Sequence, residues 1–472
     1  MTRRRRLLAW AGVAVFLILV GAIAGYRLLF PPPTHFASDQ DHFEYGSIGV
    51  ERASGMPFEI WRALPALCMP PGEAKQGYRR FGFQWEAGHP APIGMPLQKA
   101  IVTRVGVNCA LCHVGRVRDD NGRVQLLPGA PNTQLDVQSY LRFLFACAAS
   151  RKFTADAIIA EMRRNGRVGP LKAFLYRRLI IPQTRKALLK QARQMAFMDA
   201  QPPWGPGRAA GFNPAKVQVL KRPYDNSLDT VDIPSLWAMA HREPGSFHWD
   251  GINSSLHEVF LNSAIGNGAS VNSLDRAALK RDEAWTRRLA PAAFPIPVDA
   301  VRATRGRAVF QQECAGCHAP GGAKVNQVIP VSLVGTDPDR VDSINEEVLQ
   351  AFRDRFRNSL NYRHFRKTSG YVAAPLDGIW ARSPYLHNGS VPTLRDLLEP
   401  PALRPVSFVR GLDWLDPKRG GFAAPPCIAG APLKAGFCFD TRLAGNSNAG
   451  HLYGTELGKA EKDDLVAFLL TH

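Results

Sequence analysis

The tightest constraint in this chain is a five-residue pattern that occurs twice. Cys109-Ala110-Leu111-Cys112-His113 and Cys314-Ala315-Gly316-Cys317-His318 both read C-x-x-C-H. Two thiols about one helical turn apart can form thioethers with the two vinyl groups of one haem, and the His that follows then reaches the iron. The chain's own Cys and His frequencies predict on the order of 0.003 such patterns by chance. Zinc would need a second ligand pair close by, and neither pattern has one. A dithiol redox pair has no use for the following His. Two covalently bound c-type haems are therefore the expected cofactors, held by Cys109, Cys112, His113 and by Cys314, Cys317, His318, with His113 and His318 on iron.

The N-terminus points outward. Arg3 to Arg6 precede an uncharged run from Leu7 to Tyr26, and about twenty apolar residues cross a bilayer core. Arginines stay on the cytoplasmic side, so the body should face the periplasm. Length favours an uncleaved anchor on the bacterial inner membrane; Ala22-Ile23-Ala24 is the alternative, a cleavage site that would release the body into the periplasm or beyond. The eight cysteines are too few for a disulfide scaffold. Four are spoken for by haem. Cys427 and Cys438 share one Gly/Pro-rich loop and are the preferred disulfide in an oxidising compartment, while Cys68 and Cys147 pair or stay buried.

At 472 residues, about three domains are expected at ~150 residues each. A proline-rich stretch ends at Pro297. Beyond it, Asp299 can cap a helix that delivers Cys314, and a second helix near 459–470 closes the chain. The expected fold is mainly α: an N-terminal transmembrane helix (1–30), an N-terminal haem domain with insertions (31–297) and a C-terminal cytochrome c domain (298–472), both with long loops. The net charge is +19, and residues 151–222 hold sixteen Lys and Arg against three Asp and Glu. A solvated helical face is the plain reading; anionic lipid or an acidic redox partner is the sharper one. Nucleic acid is not an expected partner of an exported haem protein.

The second haem needs a ligand on its other face. His451 lies in a Gly-rich loop just ahead of the last helix, and His387, in Tyr385-Leu386-His387-Asn388-Gly389-Ser390, competes with it. The first haem has no obvious second ligand; His241, His248 and His257 come much later in the chain. An iron with a free face binds O2 or peroxide, whereas a closed one mainly passes electrons.

Several longer strings carry a resemblance: Val107-Asn108-Cys109-Ala110, Phe247-His248-Trp249-Asp250-Gly251, Pro375-Leu376-Asp377-Gly378-Ile379-Trp380, the run from Tyr385 to Leu394, and Gly445 to Gly454. With the two C-x-x-C-H pentapeptides they make the chain similar to the bacterial di-haem cytochrome c peroxidase superfamily, and most similar to its rubber-oxygenase branch. The resemblance implies that His451 is the distal ligand of the C-terminal haem, that His387 packs near the haems without binding iron, and that Trp249 lies between them as the candidate catalytic side chain. It also implies that the first haem is the substrate-side one and that calcium is a possible further cofactor. Two departures stand out. Val259 and Ala269 fall near the places where peroxidases of the superfamily carry Gln and Glu for peroxide protons, and no movable His follows the first pentapeptide. Both weaken a plain peroxidase and suit an apolar, oxygenase-like pocket, although a tethered protein could not reach an external polymer such as rubber.

The expected function is that of an exported oxidoreductase activating O2 or peroxide at the first haem. The second haem is expected to relay electrons from a redox partner protein or a quinol-linked donor. The alternative is a tethered electron-transfer cytochrome without substrate chemistry.

Overall fold

The computed structural model describes residues 34–472 except Pro244, and ahead of them only Trp10, Phe16 and Val20. Three apolar clusters organise the body. One gathers Phe247, Ile252 and Met239 with helices Leu256–Gly266 and Glu346–Phe356. A second lies between helices Phe58–Cys68, Val137–Ala149, Ala155–Arg164 and Ile181–Gln194. The third joins Val117, Leu127 and Trp237 to Phe310, Trp380, Leu465 and Phe468, so it draws on chain before and after the proline-rich stretch.

The helices start where their sequences provide caps. Asp299 accepts from Val301 N and Arg302 N (2.9 and 3.0 Å) and opens helix Ala300–Glu313. Glu461 reaches back to Gly458 N (2.9 Å) at the start of helix Lys459–Leu469. These two helices cross closely because Gly306 has no side chain: a Cβ there would stand 2.0 Å from the Asp464 carbonyl oxygen. Phe310 meets Phe468 at 5.2 Å across the contact, and each such side chain contributes about 1.5–3 kcal/mol by burial. The Asp464 carboxylate accepts from Arg302 and Arg305 and ties the pair at its rim.

The expectation of a mainly α body is corrected. Helix makes up 41% and strand 11%, and the strands build a three-stranded sheet and four two-stranded ones among the described residues, which makes the architecture mixed α/β. All pairs are antiparallel. Met56–Pro57 and Leu97–Gln98 flank Arg104–Val105. Val114–Arg118 pairs with Val124–Pro128, Arg208–Ala210 with Thr230–Asp232, Val328–Pro330 with Gly370–Val372, and Ser407–Arg410 with Phe437–Asp440. Strands this short show no readable alternation, which is why sequence periodicity misses them. Among the described residues no helix is long and apolar enough to cross a membrane. The expected anchor and its possible cleavage site fall outside the described residues, apart from Trp10, Phe16 and Val20.

Two disulfides brace the fold. Cys427 pairs with Cys438 across the Ser407–Arg410 hairpin, and Cys68, at the end of its helix, pairs with Cys147 of Val137–Ala149. Adding a methyl at the helix crossing tests the packing argument directly. Gly306→Ala is expected to lower stability by about 1–3 kcal/mol, measured by denaturant unfolding followed by circular dichroism; an unchanged midpoint would mean that the two helices separate without cost.

Candidate haem sites

Helix Ala300–Glu313 runs into the second pentapeptide, which forms one further helical turn, Ala315–His318. Cys317 N and His318 N both donate to the Cys314 carbonyl (3.1 and 3.0 Å), so the two thiols sit one turn apart with the imidazole next to them. His318 Nδ1 donates to the Ala374 carbonyl at 2.7 Å. That bond fixes the tautomer and leaves the Nε2 lone pair free, the form in which imidazole binds a metal.

His451 faces this ring. Its backbone is held in the left-handed region (φ 49°), with its N–H on the Val334 carbonyl (2.7 Å). Buried Arg404 donates to the carbonyls of Gly450 and His451. Gly450 lets the loop sit down, because a Cβ there would meet the Gly335–Thr336 peptide at 2.3 Å. The two imidazole centroids are 6.4 Å apart. Two imidazoles on one metal ion at about 2 Å each would have centroids roughly 6.3 Å apart. Burial, then the neighbouring His318 and Arg404, push His451 down to about 3. Burial and Arg382 lower His318 as well. Both rings are therefore neutral at pH 7. His451 Nδ1 is buried without a partner among the described residues. The centroid spacing and the tautomer of His318 fit an iron between the two rings.

The first pentapeptide forms the equivalent turn, with Cys112 N and His113 N on the Cys109 carbonyl (3.2 and 3.0 Å). Asn108 locks it. The Asn108 side chain accepts from Ala110 N (3.0 Å) and donates to the carbonyls of Phe43 and Gly46 (2.9 Å each). The His113 carbonyl accepts from Gly129 N (2.8 Å). Burial drives the His113 imidazole down to about 4; the Pro234 carbonyl opposes this and His248 adds to it. The Pro234 carbonyl lies beside the His113 imidazole, although Nδ1 closes no hydrogen bond of good geometry among the described residues. Burial likewise dominates the shifts of His248, His318 and His451. Burial also pushes Cys112 and Cys314 up to about 12 and raises Cys109. These are thiols, unlike the low-pKa thiolates of dithiol redox pairs. The four pentapeptide cysteines are unpaired, while the other four form the disulfides.

The remaining candidates converge on Asp232, a residue that sequence reasoning missed. The Trp249 indole donates to its carbonyl (2.7 Å), and its N–H donates to the His387 carbonyl (2.9 Å). Its buried carboxylate meets Arg410 at 2.8 Å and Arg208 at 3.8 Å. His387 itself stacks on Tyr371 at 3.9 Å. It lines a cleft of about 300 Å³ with Asp337, Asp339, Arg208 and Arg340. Asp250, from the Trp-Asp-Gly string, pairs with buried Arg340 (3.0 Å), whose guanidinium lies 3.7 Å from the Phe212 ring centre. Val259 and Ala269 belong to the apolar cluster around Phe247. His241 is exposed near Asp377 (3.6 Å), and His257 is bonded to Glu283 (2.9 Å).

Comparison with known proteins meets this picture in the second half of the chain. Residues 370–409 match the family model described as RoxA-like, cytochrome c-like. The matched stretch contains His387 and neither C-x-x-C-H pentapeptide. It supports the rubber-oxygenase-like, c-type cytochrome side of the resemblance and implies c-type haem. The uncharacterized protein y4iM of Sinorhizobium fredii is 29% identical over 296 residues, which cover 55% of this chain and 66% of that protein. The uncharacterized protein y4iJ of the same organism is 26% identical over 543 aligned positions, covering 88% of each chain.

The buried ion cluster gives a prediction. Asp232→Ala leaves Arg208 and Arg410 facing each other without a carboxylate. It is expected to cost about 3–5 kcal/mol in chemical denaturation, with Asp232→Asn costing less. Equal and small losses would show that the two guanidiniums are compensated elsewhere.

Proposed function

We propose that this c-type cytochrome is a di-haem oxidoreductase that takes electrons from a redox partner protein or a quinol-linked donor and delivers them to a small oxidant, O2 or peroxide. The observation that carries this reading is the neutral imidazole pair His318 and His451 at 6.4 Å, set beside two unpaired thiols. Bound haem iron supplies one-electron exchange, and ligand binding wherever a coordination position is free. Cys314 and Cys317 would hold one haem and Cys109 and Cys112 the other. His318 would be oriented by the Ala374 carbonyl, and His113 would serve the first site. The kinship with di-haem peroxidases belongs to this reading and rests on the strings shared along the exported body.

Trp249 is the proposed aromatic step between the sites, because its indole is fixed to the Asp232 carbonyl and Asp232 is bonded in turn to the His387 loop. Asp337 and Asp339 share their cleft with Arg208 and Arg340, whose charges disfavour a cation such as calcium at that place.

The setting we propose is the periplasmic side of the inner membrane, with the body either retained there or released after Ala24. The disulfides agree with an oxidising compartment. Leu171 and Phe174, 80% and 61% exposed, stand among the cations of residues 151–222. Such a mixed apolar and basic surface suits an anionic membrane or an acidic partner. An electron carrier without substrate chemistry is the second reading, favoured by the unbonded imidazole of His248 beside His113.

The test is spectroscopic. Purified protein is expected to contain two covalent haems per chain. His451→Ala is expected to turn one of them from low-spin to high-spin in the ferric electron paramagnetic resonance spectrum. An unchanged spectrum removes His451 from iron. Absence of haem-dependent oxidation of the reduced protein by O2 or peroxide would reject the oxidase side and leave the carrier.

A further inference from the structure

We propose that His248 is the second axial ligand of the haem attached at Cys109 and Cys112, so that imidazole closes both faces of the first iron at rest. The inference rests on the di-haem reading above and names a ligand that the sequence left open.

Position is the first argument. Cys109 packs against the apolar cluster that contains Phe247, the residue before His248. The residue after it, Trp249, is pinned by its indole to the Asp232 carbonyl at 2.7 Å. From Asp232 the chain runs to Leu236, whose N–H bonds the Gly129 carbonyl, while Gly129 N bonds the His113 carbonyl (2.8 Å each). His248 is therefore held between two neighbours that are both tied to the first pentapeptide.

The ring and its backbone are the second argument. Among the described residues, neither nitrogen of His248 has a hydrogen-bond partner, and Nε2 is wholly inaccessible. Buried polar atoms are rarely left so. The residue occupies the left-handed region (φ 64°), which side chains other than glycine seldom adopt. Phe247 N on the Asn253 carbonyl (2.9 Å) and Arg242 on the carbonyls of Ser246 and His248 (2.6 and 2.9 Å) hold it there. The aim of this ring is thus imposed by the surrounding turn.

His451 is the internal precedent. It too has a left-handed backbone and a buried ring nitrogen without a partner, and its ring faces His318 across the gap that fits a metal. The rivals are accounted for: His257 is bonded to Glu283 and His241 lies exposed near Asp377. With His248 in place, an external ligand binds the first iron only after this imidazole leaves.

Full-length holo-protein is compared with His248→Ala and His248→Met by haem content, mass and ferric electron paramagnetic resonance. Wild-type protein is expected to carry two haems, both low-spin. His248→Ala is expected to turn one of them high-spin, to bind cyanide faster than wild type, and to return to low-spin on adding imidazole. His248→Met, which keeps a ligand in place, is expected to retain two low-spin haems with one near-infrared charge-transfer band displaced. One high-spin haem in the wild type, two low-spin haems in His248→Ala, or an undisplaced band in His248→Met overturns the assignment and leaves the di-haem reading standing. Haem on one pentapeptide alone overturns that reading and the ligand with it.

Discussion

Desolvation of imidazole is the constraint on which the rest of the structure depends. His113, His248 and His451 each bury a ring nitrogen without a hydrogen-bond partner among the described residues, and an unmet buried polar atom costs about 1–3 kcal/mol. A fold that keeps three of them without return would surrender a large share of the 5–15 kcal/mol that holds a domain together. The same burial that makes these nitrogens costly also strips their protons, and a neutral imidazole is the ligand form. For His248 the orphaned atom is Nε2, so one physical term creates both the deficit and a group able to offset it by binding a metal; for His113 and His451 the orphaned atom is Nδ1, and burial supplies the neutral ring alone. The four free thiols one turn apart give that metal's carrier a covalent attachment.

Holding two such sites in register is the task of the buried ion pairs. Asp232 gathers contacts from Trp249, His387, Arg208 and Arg410, groups scattered over more than two hundred positions of the chain. Asp250 and Arg340 repeat the arrangement nearby. Replacing such pairs with apolar side chains is often neutral or stabilising, so their value here lies in specificity. Charges that can be satisfied in one arrangement only fix how the segment 247–251 lies against the loop at His387.

The parts of this design that were legible in the sequence are those carried by short intervals. The C-x-x-C-H turns, the Cys427–Cys438 pair and the cap Asp299 each act over a short stretch of chain. The misread fold class came from pairings such as Met56–Pro57 with Arg104–Val105 and Val328–Pro330 with Gly370–Val372. These are two or three residues long and joined over tens of positions, so neither periodicity nor turn chemistry announces them. The Asp232 cluster was invisible for the same reason: Arg410 lies 178 positions away. His248 stood among three late histidines, with His241 and His257, and nothing in the sequence chose between them. The left-handed backbone that gives it away exists only once the chain is folded.

The two haem sites differ in how each second imidazole is presented. His451 sits on a loop clamped by Arg404 through three carbonyls, those of Asn448, Gly450 and His451. It faces a partner ring whose tautomer is set by Ala374. His248 is clamped by Arg242 through two carbonyls, and the Pro234 carbonyl lies beside the His113 imidazole. A metal ligand whose other nitrogen donates to a carbonyl is better oriented and more basic. Among the described residues His318 alone of these four imidazoles closes such a bond. In the di-haem reading proposed above, the pair His318 and His451 would therefore be the firmer one and the pair His113 and His248 the more readily exchanged. The proposal of relay at the second site and oxidant access at the first rests on that difference.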